Sequence, residues 1–415
     1  MKFYIETYGC SANQAHSEMM VSSLVANGFE IAESPEKADV IVINTCVVKT
    51  PTENKIRERI KFFLRNHPHT KLVIAGCAAD VGMFRDIAPG AFFLSSHRSK
   101  DIAKLFSGKK KHGGKRIRKN PLVNITEIAS GCLGACAYCI VKLARGELKS
   151  RKITDITNEI ENALKEGCKE IWLTSQDCGC YGLDIGTNLA ELLESVVKID
   201  GKFRVRVGMM NPSYAERILS ELIRAFESPK IYKFVHIPVQ SGSDRILNKM
   251  RRGYTAGDFE KIVKTFRSHF PDLTLSTDII VGFPGETEKD FEKTVKLIER
   301  IRPDVVNISK FGPRPGTEAS CMKPLGGKAV KRRSKELSEL TGKLALENNR
   351  KWVSKECEIL VTEKGKRINQ FIGRNESYKP VVIESKKNIM GKFLRVRISG
   401  FGSTYLRAAF IRNSV

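Results

Sequence analysis

A chain of 415 residues with 71 Lys and Arg against 46 Asp and Glu carries a net charge of +25, which disfavours cationic partners and favours a polyanion. It is two to three times the length of an ordinary domain, so it should divide into parts that each hold a core. It has no apolar run of eighteen residues, and its opening MKFYIETYGCSAN turns polar too early for a signal peptide, so a cytoplasmic chain without a membrane span is expected. Eleven cysteines, an odd number, point away from a disulfide framework and towards metal binding or redox chemistry.

Residues 1–106 alternate strand and helix patterns. FYIETYG, DVIVINT and KLVIAG read as buried strands, and the amphipathic NQAHSEMMVSSLVANG and PTENKIRERIKFFLRN read as the helices between them. Apolar strands separated by helices predict a doubly wound parallel sheet. Each of the three strands runs into a cysteine, Cys10, Cys46 and Cys77. Ligands of open α/β sheets gather beyond the strand carboxyl ends, so the three can converge on one point. Buried structural thiols are the plain alternative for any one of them. Three at equivalent topological positions favour a shared site.

Residues 107–121, SGKKKHGGKRIRKNP, hold seven Lys and Arg and no apolar pair, and read as a solvated basic linker. Residues 122–350 resume the alternation. LVNITEIA, EIWLTSQ, FRVRVGMM, KFVHIPVQ, LTLSTDIIVGF and DVVNISKFGP suit six βα units of a full or partial parallel barrel, with the functional loops at the strand carboxyl ends. Leu337, Leu340 and Leu344 then mark a long polar helix that tethers a last small domain. Residues 351–415 shift to short alternating runs, ECEILVTEK, YKPVVIES, KFLRVRISGFGST and YLRAAFI, as in a small antiparallel β-barrel. From Lys355 to Arg412 there are 13 Lys and Arg, 5 Glu and no Asp. With Phe371, Tyr378, Phe401 and Tyr405 as stacking candidates, this reads as an RNA-binding module. The same aromatics, Phe401 and Phe393 above all, can instead form the barrel core.

Directly after the first barrel strand, SGCLGACAYCIVKLARG places Cys132, Cys136 and Cys139 in a C-x3-C-x2-C spacing. This suits a [4Fe–4S] cluster with three protein ligands and one open iron. Zinc is the rival, but its sites show paired C-x2-C elements and a fourth ligand nearby. Gly131, Gly134 and Ala135 let the backbone wrap closely around a bulky group.

The spacing, with Tyr138 before the last cysteine, resembles the signature of radical S-adenosylmethionine (SAM) enzymes. TYGCSANQAHSE, VINTCVVKTPTENK, LTSQD, VGMMNP, HIPVQSGSD, KMRRGYT, STDIIVGFPGET and FGPRPGT resemble successive motifs of the methylthiotransferases, and the basic barrel resembles their TRAM domain. The likeness runs through nearly the whole chain in the family's domain order. Lys142 in CIVKLARG, where other branches usually have proline, resembles the archaeal and eukaryotic branch acting on N6-threonylcarbamoyladenosine at position 37 of tRNA. The chain lacks the hydrophobic tail common in eukaryotic members, which suits a soluble archaeal-type form.

The resemblance implies two [4Fe–4S] clusters, one on Cys132, Cys136 and Cys139 and an auxiliary one on Cys10, Cys46 and Cys77. One SAM methylates sulfur on the auxiliary cluster. A second is cleaved to a 5′-deoxyadenosyl radical that takes hydrogen from C2 of the adenine, and the methylthio group follows. Tyr138, Gln176, Asp177, Gln240, Ser241, Arg252, Asp278 and Phe311 are the expected cofactor contacts. Arg145, Arg374, Lys392, Arg395 and Arg397 are expected on RNA, with a fork for the cofactor carboxylate as the second reading of Arg145. The partners implied are the tRNA anticodon stem-loop, an electron donor such as ferredoxin or flavodoxin, and a sulfur donor. Cys178 and Cys180 depart from the family's Thr and small residue and, as C-x-C without a third partner, receive no role. AADV after Cys77 departs from a more polar run. Methylthiolation of isopentenyladenosine or of a ribosomal-protein aspartate is the alternative within enzymes. An iron–sulfur RNA-binding protein without catalysis is the alternative outside them.

Overall fold

The computed structural model describes residues 1–107 and 115–411. The strands β1 (Lys2–Thr7), β2 (Glu30–Ile31), β3 (Val40–Thr45), β4 (Lys71–Gly76) and β5 (Phe92–Leu94) form one parallel sheet in the order β2-β1-β3-β4-β5. Every residue of β3 is buried, because helices cover both faces of a central parallel strand. β1, β3 and β4 are neighbours in near-aligned register, with Thr7 opposite Asn44 and Thr45 opposite Gly76, so Cys10, Cys46 and Cys77 leave the sheet at the same end.

The middle of the chain builds six parallel strands, β6 (Val123–Glu127), then, after the short pair β7 (Ala129–Ser130) and β8 (Lys149–Ser150), β9 (Glu170–Thr174), β10 (Arg204–Val207), β11 (Phe234–His236), β12 (Thr274–Val281) and β13 (Val305–Lys310). They fall into two half-sheets, β10-β9-β6 and β11-β12-β13, joined by a parallel bridge between Val205 and Ile231. This is the partial barrel the alternation predicts, its core packed with Leu, Ile and Val from strands and covering helices. Helix Glu288–Ile301 begins with a Thr287/Asp290 capping box, and Asp290 also accepts from Ser243, tying that helix to the loop after β11.

The helix expected near residue 337 spans Gly327–Arg350, with Leu337 and Leu344 on its buried face. The last strands, β14 (Glu356–Lys364), β15 (Gln370–Asn375), β16 (Pro380–Glu384), β17 (Phe393–Phe401) and β18 (Leu406–Phe410), close a barrel in the order β14-β15-β16-β18-β17. It departs from a purely antiparallel barrel at β16 and β18, which pair in parallel. β15 escapes a pattern search because its inward positions are Phe371, Gly373 and Asn375, so only one of the three is a large apolar residue.

Residues 108–114, the Lys-rich half of the expected linker, lie outside the described residues. The described remainder corrects the solvated reading. Arg116 pairs with Glu18 and Glu159 at 3.1 and 3.2 Å, and Asn120 donates to the carbonyl of Thr362, so this stretch fastens all three regions together.

Candidate active site: two cysteine sets bridged by Arg145

The N-terminal site is set by a polar network at the ends of β1, β3 and β4. Asn13, fully buried in the first turn of helix Ser11–Ala26, donates through Nδ2 to the carbonyls of Tyr8 and Thr45, both at 2.8 Å. Asn44 donates to the Asn13 carbonyl at 2.7 Å, and Thr45 to the Ala75 carbonyl at 2.6 Å. These bonds hold the turns carrying Cys10, Cys46 and Cys77 against one another. Gly9 is at φ +115°, and a Cβ there would lie 2.8 Å from that of Cys46, so only glycine allows the approach. Burial raises the Cys46 thiol and pushes Cys77 up to about 11 against the pull of Arg145.

Arg145 corrects an expectation. Placed on RNA or on the cofactor carboxylate by the sequence, it is 2% exposed and donates from Nε to Cys77 Sγ at 3.3 Å and from its fork to Asn13 Oδ1 at 3.0 Å. Glu127 Oε1 lies 4.0 Å away, and His16 bridges to Glu127 Oε2 at 2.9 Å. Burial works against the guanidinium charge, but Cys77 and Glu127 outweigh it. Burial likewise pushes the Glu127 carboxyl up, and the bond from His16 with the charges of Arg145 and Arg151 brings it below its usual range. Arg145 ends the helix Val141–Arg145 that follows Cys139, so one short helix links both cysteine sets.

The C-x3-C-x2-C loop is held from four sides. Gln176 Oε1 accepts from the Gly131 amide at 2.8 Å, and Lys142 Nζ donates to the Cys132 carbonyl at 2.6 Å. The Ala137 amide donates to Met250 O and its carbonyl accepts from Ala319. Arg252 donates to Cys136 Sγ at 2.9 Å and to Tyr254 Oη at 2.8 Å. Arg252, read as a cofactor contact, therefore reaches the sulfur of Cys136. Each cysteine set thus has one buried arginine on one of its sulfurs. Burial and the nearby Cys136 push Cys139 up to about 11, with the amides of Val141 and Lys142 acting in the other direction.

The strand ends bring the other expected groups to this mouth in different ways. Asp177 is 2% exposed and accepts from the Gly179 and Asn211 amides at 2.9 and 3.0 Å; burial raises it to about 6. Asp278 accepts from His236 Nε2 at 2.9 Å and Asn307 Nδ2 at 2.7 Å. Burial pushes its carboxyl up, and these two bonds bring it below its usual range. His236, left without a role in the sequence, thus orients Asp278. Gln240 stands at φ +69° with Oε1 buried and unpartnered, an acceptor available to a ligand's N–H or O–H group. Ser241 is turned inward, its hydroxyl accepting from the Ser243 amide at 3.2 Å. Tyr138 and Phe311 both pack edge-on against Phe283, at 6.3 and 5.4 Å.

Both sets fit a cubane cluster by donor chemistry, and the C-x3-C-x2-C loop fits by space as well. Each offers three thiols, and a Cβ on Gly134 would sit 3.3 Å from Cys132 Sγ and 3.7 Å from Cys136 Sγ, in the hollow between the ligands. Sequence reasoning missed Asn13, whose signal was its place in the first turn after Cys10, and it missed Cys180. Cys180 Sγ, Cys132 Sγ and an Asp177 carboxylate oxygen lie within 4.8 Å of one another. Contact with the Cys180 thiol brings Cys132 down to about 7 and, with burial, drives Cys180 far up.

The RNA-facing expectations divide. Lys392, Arg395 and Arg397 are exposed, the last two beside Glu356 at 3.9 and 2.7 Å. Arg374 is a correction: it pairs with Glu363 and lies 5.2 Å from the Tyr378 ring, on the seam against the partial barrel. Tyr378 itself packs on Tyr232 and Phe234, and Phe371 lies in the barrel core, so neither is free to stack on a base. Phe401 also packs against that core, and Tyr405 is half-buried beside Arg407. The β14–β15 turn adds exposed Lys366 and Arg367 around Ile368, 93% exposed.

Fold and site define a radical SAM enzyme with a second three-cysteine site. The radical SAM superfamily profile matches residues 126–298, that of the uncharacterized protein family UPF0004 matches 2–85, and that of the TRAM domain matches 350–411. The chain belongs to the threonylcarbamoyladenosine tRNA methylthiotransferase family. It is 42% identical to the probable threonylcarbamoyladenosine tRNA methylthiotransferase of Pyrococcus horikoshii over 99% of this chain and all of that one. It is 36% identical to the threonylcarbamoyladenosine tRNA methylthiotransferase of Homo sapiens over 98% of this chain and 73% of that one. Among solved structures, the radical SAM methyltransferase TsrM of Kitasatospora setae shares the fold, with TM-score 0.57 at 16% identity over 77% of this chain and 75% of that one. Among the described residues no helix is long and apolar enough to cross a membrane.

Proposed function

We propose that this protein converts N6-threonylcarbamoyladenosine at position 37 of tRNA to its 2-methylthio derivative. The observation that carries the reading is the pairing of two three-cysteine sets at the carboxyl ends of adjoining parallel sheets, each offering three thiols to a cubane cluster. When bound, the cluster on Cys132, Cys136 and Cys139 supplies the 5′-deoxyadenosyl radical with SAM, and the one on Cys10, Cys46 and Cys77 supplies sulfur. The chain's own residues do the rest. Gln176 and Lys142 fix the loop, and Arg252 and Arg145 each place a positive charge on one ligand sulfur. Asp278 and Gln240 offer acceptors to the ribose and amino acid parts of the cofactor, Asp177 shapes that wall, and Phe283 with Phe311 and Tyr138 excludes water.

The division into residues 1–106, 107–121, 122–350 and 351–415 assigns sulfur supply to the first, radical chemistry to the third and tRNA capture to the last. A ferredoxin or flavodoxin is the proposed electron source, with a separate sulfur donor, in the cytoplasm. Mass analysis of tRNA nucleosides from a deletion strain tests the reaction. Loss of 2-methylthio-threonylcarbamoyladenosine with its unmethylthiolated precursor retained is the expected result. Unchanged levels with loss of the isopentenyladenosine derivative, of the ribosomal-protein modification or of neither would overturn the assignment.

Lys392, Arg395 and Arg397 are proposed to meet the phosphate backbone. Replacing both Arg395 and Arg397 with alanine should weaken tRNA binding and lower the slope of log K against log salt by about 2, roughly one for each phosphate no longer neutralised. A filter-binding salt series reads this, and an unchanged slope places the RNA elsewhere.

A further inference from the structure

The helix Thr50–Asn66 begins just beyond Cys46, and the residue at its N-cap is Lys49. A cation there opposes the positive end of the helix, and no side chain caps the first turn, so helix stability does not account for the residue. The start of the helix is clamped to the loop after β13: buried Arg314 donates to Thr50 Oγ1 at 2.8 Å and to Glu53 at 2.7 Å. A Cβ on Gly312 would stand 2.8 Å from the same Thr50 oxygen. Lys49 is thus fixed where the N-terminal sheet meets the mouth of the partial barrel, near enough for its charge to act on the Asp278 carboxyl. Arg145, Arg252, Arg314 and Lys142 each already hold an acceptor. The ammonium of Lys49 is exposed and has no hydrogen bond or ion pair among the described residues. Register sets Lys310 aside as a rival. Asp278 and Asn307 are strand partners whose side chains meet, and Lys310, an odd number of places beyond Asn307, falls on the opposite face of β13.

We propose, on the reading of the substrate given above, that Lys49 binds the carboxylate of the threonyl group and so selects threonylcarbamoyladenosine over bases with no charge at N6. The threonine is joined through a carbamoyl group to N6, on the same edge of adenine that carries C2. A base turned with C2 towards Cys10, Cys46 and Cys77 therefore brings its carboxylate to the stretch just after Cys46, where Lys49 stands. There an ammonium with three donors meets an acceptor that has none of its own. Asp278 would repel a second carboxylate at this mouth. It is held by His236 and Asn307 and not by Lys49, so the lysine offsets its charge while its donors stay open to the substrate. An isopentenyl group at N6 offers no acceptor and leaves the ammonium to water. Removing the charge from either partner of such a contact lowers affinity about tenfold.

The test uses the anaerobically reconstituted full chain and a fluorescent anticodon stem-loop that carries either threonylcarbamoyladenosine or its threoninamide analogue, in which a neutral amide replaces the carboxylate. Anisotropy titrations give the affinity for each form, and mass analysis of the reacted stem-loop reads the product. Wild type is expected to bind the carboxylate form about tenfold more tightly than the amide. Lys49→Met should bind both forms alike, at the wild-type affinity for the amide. Lys49→Arg should keep most of the preference, and Lys310→Met all of it. Equal weakening of both forms by Lys49→Met, with a lower salt slope, would place Lys49 on a phosphate and overturn the proposal. A preference that survives in Lys49→Met overturns the role of Lys49 and leaves the reaction standing. So does a wild type that binds both forms alike while forming the 2-methylthio product. A wild type that does not convert the carboxylate form at all overturns the reaction itself.

Discussion

A chain in which Cys10, Cys46 and Cys77 are all replaced by alanine is expected to hold about four irons after anaerobic reconstitution where the wild type holds about eight. It should form no 2-methylthio product, yet still release 5′-deoxyadenosine from SAM under reducing conditions. The reason is spatial separation of roles. The N-terminal set is fastened by Asn13, Asn44 and Thr45 to its own sheet, while the C-x3-C-x2-C loop is held by Gln176, Lys142, Arg252 and the backbone of Met250 and Ala319. None of those bonds to the loop passes through Cys10, Cys46 or Cys77. Each replacement removes a single sulfur atom, and only those of Cys46 and Cys77 are buried, so the volume lost is small and the sheet should persist. Iron analysis with chromatography of the cleaved cofactor reads both halves. Loss of 5′-deoxyadenosine together with the product would show that the two sets do not act as separable sites.

Much of this arrangement was legible in the sequence, and for a physical reason. The parallel strands are buried on both faces and read as unbroken apolar runs, so VIVINT and KLVIAG announce themselves and the cysteines beyond them fall at predictable ends. β2 and β5 were missed because two or three residues are too short to carry a period. The closing barrel was legible as a class but not in detail, since β15 turns Gly373 and Asn375 inward. Charged residues were the hardest to place. A pattern cannot distinguish an arginine that meets solvent from one that meets a buried sulfur, so Arg145 and Arg374 were sent to RNA alongside Arg395 and Arg397. Aromatic residues fail likewise: Tyr378 looks like a stacking platform until Tyr232 and Phe234 are found against it. Cys180 had no partner in sequence because its partner, Cys132, comes from a different strand end 48 positions earlier, and only the register of β6 beside β9 brings them together.

Replacing Arg145 with methionine is expected to destabilise the N-terminal region by about 3 kcal/mol, because removing one member of a buried charged group leaves the others uncompensated. Methionine keeps most of the volume but none of the donors. Cys77 loses a charge-assisted bond, Asn13 Oδ1 loses its donor at 3.0 Å, and Glu127 is left with the bond from His16 and the charge of Arg151 while its Oε1, already without a hydrogen bond, loses its 4.0 Å contact with the guanidinium. Glu127 sits with its carboxyl below the usual range partly through Arg145, so the variant should also hold that charge less well. Arg145→Lys keeps a positive charge but not the planar fork that meets Cys77, Asn13 and His16 together, so it should fall between methionine and wild type. Urea denaturation followed by tryptic susceptibility of residues 1–107 measures the loss, and iron analysis of the methionine variant should show the N-terminal cluster preferentially depleted. The slope of tRNA affinity against salt separates this role from the one the sequence suggested. A residue 2% exposed releases no counterion, so the slope should match wild type. A fall of about one in that slope, with stability and iron unchanged, would return Arg145 to the RNA surface.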